Sequence, residues 1–468
     1  MGAAALALAA CSGADAPVTH SDRELGAQQH PQLLAEFGGE YAGDEAAYVR
    51  ALGERLAAAA GLEGQCTFTL VNSDVVNAFA VPGCYIYITR GLMGIVNSEA
   101  ELGAVLGHEI GHIVGRHAQR QQRGSLLRQL GVLAVGFVTG SAALTQIAGA
   151  AAGLFGLRYS RSQEYEADTL GITYLAAAGL DPHEAADMLE ALGRNERHMA
   201  ETRGSDPARS IPEWARTHPL SAKRSERARA AAAATGHADN ALPENVASYL
   251  AAVDGMTFGD DPAQGFVIGR TFAHPQMRIA FAAPAGFSLT NSPQAILIEG
   301  PDGMRGQFAG GRLSGGGLED YVRTLLAELF AGAAVEVTSA VPTTVNGVPA
   351  LVAEARAIVQ GEPLTVAVAA YRAGAVAYHF VMLSAPGSPA APLAELFGSF
   401  RLLSEAQARS LRGRAIDVVP VGPGDTPRTL AQRMASPNPL ADFLVLNGLA
   451  PGRPVDRRQV KIVTFAAR

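Results

Sequence analysis

The residues His108-Glu109-Ile110-Gly111-His112 set two imidazoles four positions apart, with a carboxylate beside the first. On an α-helix this spacing puts both rings on one face, a turn apart. Two neutral imidazoles so arranged reach a single zinc ion, and the glutamate between them faces water at that ion. Zinc needs a third protein ligand and, in a catalytic site, an open fourth position. Downstream, Ser160-Arg161-Ser162-Gln163-Glu164-Tyr165-Glu166-Ala167-Asp168 supplies carboxylates on a second helix-prone stretch. Glu164 and Asp168 share a face at i, i+4, while Glu166 points elsewhere.

The helix that must carry the first motif has a legible start. Ser98 with Glu101 three residues on is a capping-box pattern and predicts a helix from about Glu99. Leu102, Val105, Leu106, Ile110 and Ile113 give it an apolar face. Gly103, Gly107, Gly111 and Gly115 recur every fourth residue. Each costs about 1 kcal/mol relative to alanine inside a helix, so the stripe implies a second backbone packed very close to a buried helix.

The flanking elements follow from periodicity. Residues 22–62 read as helical. Thr67–Val71, Asn77–Gly83 and Tyr85–Thr89 read as three strands, with Asn72-Ser73-Asp74 as a turn. The helix through Asp168 continues to a stop at Gly179, and Asp181-Pro182-His183-Glu184 opens the next. Arg194–Arg216, polar and holding Pro207, Pro212 and Trp214, reads as a loop over the cleft. Thr217-His218-Pro219 then leads through Arg224 into an Ala/Arg helix ending near Ala234.

Taken in order, these motifs resemble the membrane- and periplasm-associated zinc endopeptidases related to HtpX, BepA and the CAAX prenyl endopeptidase. The likeness spans roughly residues 24–235. It includes an N-A-F-x-x-P-G-G-x-I pattern at Asn77, with Cys84 where the family has its second glycine, and a T-H-P-x-x-x-x-R pattern ending at Arg224. The resemblance implies a mainly α, zincin-type catalytic domain with a small β-sheet over residues 22–235. It implies one zinc ion per chain, held by His108, His112 and Glu164, with Glu109 as the base. Asp168 would orient a ligand imidazole. The N-A-F strand would lie at a sheet edge beside the metal, where an extended peptide adds by main-chain pairing.

His218 falls near the cleft by the same resemblance, and its imidazole has two incompatible uses. Protonated, it would donate to the oxyanion formed during hydrolysis. Neutral, its free nitrogen would occupy zinc's fourth position and hold the enzyme shut. The capping role suits a protease surrounded by unfolded clients.

The chain as a whole has 468 residues, net charge -7 and 48% hydrophobic residues. It is long enough for several domains, and the acidic balance disfavours nucleic-acid binding. Leu8-Ala9-Ala10-Cys11 resembles a bacterial lipobox. Residues 1–11 are therefore expected to be a signal segment leaving a lipid-anchored protein on the periplasmic side of the envelope. Cys66 and Cys84, the other two cysteines, begin neighbouring strands, either as a disulfide or as two buried thiols. Residues 131–156 carry no charge. The polar break Thr139-Gly140-Ser141 favours a pair of buried or membrane-touching helices over a single span.

Beyond the polar linker Gly236–Asn245, residues 246–404 alternate strand-like runs with two helices. This predicts an α+β accessory domain with an antiparallel sheet. The strands are expected at Met277–Ala282, Ala295–Glu299, Ala350–Val359, Leu364–Tyr371 and Ala375–Leu383, and the helices at Leu318–Phe330 and Ala391–Phe397. His274 and His379 stand alone there and read as structural. Residues 415–465 resemble a LysM-like β-α-α-β module, either binding peptidoglycan-type glycan or purely architectural. With no catalytic residue in it, this end is expected to be dispensable for cleavage. The functional expectation is a zinc metalloendopeptidase acting on unfolded or outer-membrane proteins. A metal-binding chaperone-like factor and a wall-bound scaffold are the alternatives.

Overall fold

The computed structural model describes residues 16–126, 159–202, 214, 217–313, 316–330, 334–359 and 361–466. The lipobox and residues 131–156 lie outside the described residues. Among the described residues no helix is long and apolar enough to cross a membrane.

The N-terminal part begins with helices α1 (His20–Glu36) and α2 (Asp44–Ala59), followed by strands β1 (Thr67–Val71), β2 (Ala78–Val81) and β3 (Tyr85–Thr89). The sheet order is β1-β3-β2, with β1 parallel and β2 antiparallel to β3, so β2 forms an edge. Cys66 and Cys84 are joined by a disulfide, which resolves the two alternatives open in the sequence. Cys84 sits at φ 62°, after Gly83 at φ 90°, where the chain reverses from β2 into β3. The family's second glycine suits this left-handed turn, and the disulfide pins the residue that replaces it.

Helix α3 (Arg90–Ile95) leads into α4 (Glu99–Val114), the helix bearing the first motif. Ser98 caps α4 by accepting from the Glu101 N–H, and the Glu101 carboxylate accepts from the Asn97 N–H, one residue further back than in a full capping box. Helix α5 (His117–Leu126) follows a sharp turn. Helices α6 (Arg161–Ala177), α7 (Glu184–Thr202) and α8 (Ala222–Ala234) then complete the helical layer around α4. The two central glycines of the stripe have the predicted cause: a Cβ on Gly107 would stand 3.0 Å from the carbonyl oxygen of Gly171, and one on Gly111 would stand 2.8 Å from that of Ala167, whereas Gly103 faces the Leu175 side chain and Gly115 the His117 ring. Helices α4 and α6 therefore touch backbone to backbone.

The expected loop from Arg194 needs correction: α7 continues as helix to Thr202. Met188, Leu189, Leu192 and Asn195 are buried at helical spacing, so the polar residues beyond Arg194 form its outer face rather than a break.

The middle of the chain supplies α9 (Val246–Val253) and β4 (Thr257–Phe258). Tyr249, Val253 and Met256 join the apolar core of the N-terminal part. A small antiparallel sheet follows, with order β15-β7-β6-β5, formed by β5 (Phe266–Ile268), β6 (Thr271–His274), β7 (Ile279–Ala282) and, much later, β15 (Arg401–Leu402). Between these segments lies an antiparallel sheet of seven strands: β8 (Ser288–Asn291), β9 (Ile296–Glu299), β10 (Arg305–Arg312), β11 (Ala334–Val345), β12 (Val348–Val359), β13 (Glu362–Ala373) and β14 (Val376–Ser384). Its order is β11-β12-β13-β14-β10-β9-β8. Helix α10 (Leu318–Leu329) covers one face and α11 (Ala391–Gly398) the other, through two separate apolar clusters. His274 and His379 are buried, the first bonded to Ala263 O and the Met277 N–H, the second to the Tyr321 hydroxyl.

After α12 (Glu405–Ser410), the C-terminal part runs β16 (Arg414–Pro420), α13 (Pro427–Ala431), α14 (Pro439–Leu446) and β17 (Gln459–Phe465), with β16 and β17 antiparallel. This gives the expected β-α-α-β order. The module is not a free appendage, however, but packs against the N-terminal part. β16 pairs with β4, Ile416 enters the N-terminal core, and Lys461 donates its Nζ to the carbonyls of Gly94 and Val96 at 2.8 and 2.6 Å. A fully buried lysine thus ties this module to the end of α3 and the loop that leads into the motif helix.

Candidate metal centre

Helices α4 and α6 place His108, His112 and Glu164 together, and the residue after Thr217 brings His218 to the same point. One ligand atom from each of the four lies within 4.8 Å of all the others, and all four residues are buried. The Nε2 atoms of His108 and His112 face each other at 2.9 Å. His218 Nδ1 is 3.2 Å from His108 Nε2 and 3.0 Å from Glu164 Oε1. Glu164 lies 3.5 Å from His112 Nε2 and 3.6 Å from His108 Nε2.

This donor set fits zinc. Three imidazole nitrogens and a carboxylate are characteristic zinc ligands, and bonds of about 2.1 Å in a tetrahedron separate ligand atoms by roughly 3.4 Å. The observed separations bracket that value. Burial, followed by the neighbouring His108 and His218, drives the His112 pKa well below its ordinary value, so its ring is neutral with a lone pair available. Burial alone would raise Glu164, yet His218, His108 and Arg224 together hold its carboxyl below the usual range and ionised.

Glu109 stands on α4 beside this set, fully buried, with Oε1 lacking a hydrogen-bond partner and lying 3.6 Å from His218 Nε2. Burial pushes its carboxyl up to about 7, opposed by His108, by the main-chain N–H of Ala80 on edge strand β2, and by Arg224. The predicted base is therefore poised near neutrality and touches the strand proposed to align peptide.

Asp168 sits one turn along α6 from Glu164, with Oδ1 2.9 Å from Nδ1 of His108, as the resemblance implied for a carboxylate orienting a ligand ring. The six predicted site residues therefore converge.

Others were not assigned from sequence. Arg224 donates to both oxygens of Asp168 and reaches Glu164 Oε2 at 2.8 Å. It was seen as a motif letter, but only the fold shows two carboxylates meeting its guanidinium. Trp214 stacks on His218, centroids 4.3 Å apart, and donates its main-chain N–H to Val76 O. Tyr159 stacks on His112 at 3.9 Å. Neither aromatic carried a spacing that would have marked it.

Residues 44–232 match the profile of "Peptidase family M48". Over 183 residues the chain is 33% identical to the beta-barrel assembly-enhancing protease of Yersinia pestis, covering 37% of this chain and 36% of that protein. It is 33% identical over 172 residues to the mitochondrial metalloendopeptidase OMA1 of Arabidopsis thaliana, 36% of this chain and 32% of the relative. With the beta-barrel assembly-enhancing protease of Escherichia coli K12 it shares 32% identity over 185 residues, 37% of this chain and 36% of that protein. The chain thus spans about a third of the length of these relatives.

Proposed function

We propose, from the premise that residues 44–232 of this chain belong to peptidase family M48, that the protein is a zinc-dependent endopeptidase for unfolded or misassembled envelope proteins. The observation that carries this reading is the convergence of four buried ligand residues beside the unpartnered Oε1 of Glu109.

His108, His112 and Glu164 would hold the ion, with His218 able to take the fourth position. Zinc supplies Lewis acidity that polarises a carbonyl and acidifies water near pH 7. An extended substrate pairs along the outer edge of β2, which sets its scissile bond over α4. Glu109 takes a proton from the attacking water and returns it to the leaving amine, a role suited to a carboxyl whose pKa lies near the working pH. Asp168 fixes the ring of His108, Arg224 keeps Asp168 ionised, and His218, His108 and Arg224 together keep Glu164 ionised.

The envelope setting is supported by the lipobox-like segment at Cys11 and by the disulfide, which suits an oxidising compartment. The names of the bacterial relatives point to β-barrel proteins as clients. The LysM-like pattern makes peptidoglycan a second partner for the C-terminal module.

The test is Glu109→Gln in the full chain, with unfolded casein as substrate. Hydrolysis should vanish while stoichiometric zinc stays bound, whereas Glu164→Ala should lose the zinc. Near-wild-type turnover of a chelator-cleaned, zinc-reloaded Glu109→Gln sample would overturn the reading.

A further inference from the structure

We infer that His117, backed by Glu166, is a positioning residue that fixes which nitrogen of His112 carries the proton; this rests on the zinc reading above. His108 has Asp168 directly behind it, but among the described residues no carboxylate stands directly behind His112. In that place is a second imidazole. After α4 the chain turns at Gly115 and Arg116, the latter at φ 50°, and the first residue of α5 is folded back beneath His112. His117 is completely buried, and its Nδ1 lies 2.8 Å from Nδ1 of His112, the ring planes near perpendicular at 80°. The fit is close: a Cβ on Gly115 would fall 2.4 Å from His117 Nε2. Gln163 on α6 donates its Nε2 to the carbonyl of His117.

Between two Nδ1 atoms only one proton fits, and the rest of the site decides where it lies. His112 must present a bare Nε2 to the ligand set, so its proton is on Nδ1 and is donated to His117. His117 Nδ1 is then the acceptor, and its own proton sits on Nε2. That atom is 3.3 Å from Oε2 of Glu166, whose two oxygens are held by Arg120 at 3.1 and 3.0 Å. The polarity of the chain of contacts from Arg120 to the metal position is thereby fixed. With the opposite tautomer of His117, the Nε2 of His112 would carry a hydrogen and be lost as a ligand. Glu166, which in sequence pointed away from the other carboxylates, thus serves the second imidazole as Asp168 serves the first, through one intermediate ring.

The experiment uses the full chain with three substitutions: His117→Phe, which keeps a buried ring without an acceptor, His117→Gln, which keeps an acceptor oxygen, and Glu166→Leu. Zinc dissociation constants are measured by competition with a chromophoric chelator, and thermal midpoints are measured on metal-free protein. His117→Phe should bind zinc about 10–100-fold more weakly, the scale for lost support of a ligand. His117→Gln should recover most of that loss. Glu166→Leu should lose a few-fold, since Glu166 is partly exposed, and metal-free midpoints should stay close to wild type. Wild-type affinity in His117→Phe overturns the inference, as does an equal loss in Phe and Gln or a loss mirrored in the metal-free midpoint. If His117→Phe does not fold, unchanged affinity in Glu166→Leu overturns it. A wild-type protein without stoichiometric zinc removes the metal reading itself, and this inference with it.

Discussion

Arg224 grips Asp168 with two donors, Nε to Oδ2 at 2.9 Å and Nη2 to Oδ1 at 2.7 Å, while its remaining nitrogen reaches Glu164. All three side chains are buried. One guanidinium therefore pairs with both a ligand carboxylate and the carboxylate that orients a ligand ring. Removing it should be costly, because a buried ion pair broken from one side leaves an uncompensated charge, typically about 3–5 kcal/mol. Arg224→Met should show that loss in urea denaturation and bind zinc more weakly. Arg224→Lys should recover little of it, since a point charge cannot span two carboxylates as a planar fork does. Wild-type stability in both variants would remove Arg224 from this role.

His218 now has a geometry to match its two conceivable roles. Its Nδ1 lies among the ligand atoms, and Trp214 stacked on the ring holds it there. The capping role is the one this arrangement favours. His218→Ala should retain zinc on the other three ligands and raise casein cleavage or self-cleavage. A fall of about a hundredfold, the scale of one lost oxyanion donor, would instead assign it to stabilising the developing charge.

The site was legible where its chemistry is local. Pairs at i, i+4 on one helix announce themselves, as His108 with His112 and Glu164 with Asp168 did, because helical geometry alone puts them on a common face. Arg224, Trp214 and Tyr159 reach the site through tertiary folding, and no spacing encodes that. The same division runs through the sheets. The central strands β12, β13 and β14 were read from their apolar runs. Edge strand β11 was missed because it is exposed along nearly all its length and so shows no alternation. Gly-rich β10 was missed because glycine depresses strand propensity, although Gly306 is required there by the Val381 carbonyl pressing against it. The docking of the C-terminal module was invisible because a lysine is the residue type least expected to be buried.

That buried lysine makes its own prediction. Lys461→Met leaves the carbonyls of Gly94 and Val96 without their donor and deprives buried Glu101 of a nearby positive charge. Each unsatisfied buried group costs about 1–3 kcal/mol, so the variant should be markedly less stable in denaturant. Deletion of residues 405–468 should go further and yield a protein that aggregates or fails to hold zinc. A soluble, zinc-loaded and active truncation would show the module to be separable after all.

Acid should weaken the seven-stranded sheet through His379 on β14. Burial lowers its pKa from 6.5 to about 4, and its Nδ1 is hydrogen-bonded to the Tyr321 hydroxyl. The folded state thus binds the proton less readily than the unfolded state. The stabilisation is complete above pH 6.5 and is lost as the pH falls to about 4, amounting to roughly 3 kcal/mol. Denaturation midpoints of wild type should therefore fall over this window relative to those of His379→Leu. Parallel pH profiles would clear His379 of the effect.

The backbone contact between α4 and α6 bears on how stiff the ligand set is. Elsewhere in a protein, neighbouring helices meet through side chains that hop between rotamers and cushion small displacements. At Gly107, Gly111 and Gly171 nothing stands between the two main chains. His108 and Glu164 are therefore mounted on what is mechanically a single beam, and their separation fluctuates only as far as two hydrogen-bonded backbones can slide. A single methyl group at Gly107 would act on that beam as a wedge. It would move the imidazoles and the carboxylate apart together and spoil the metal position without touching any residue that binds it.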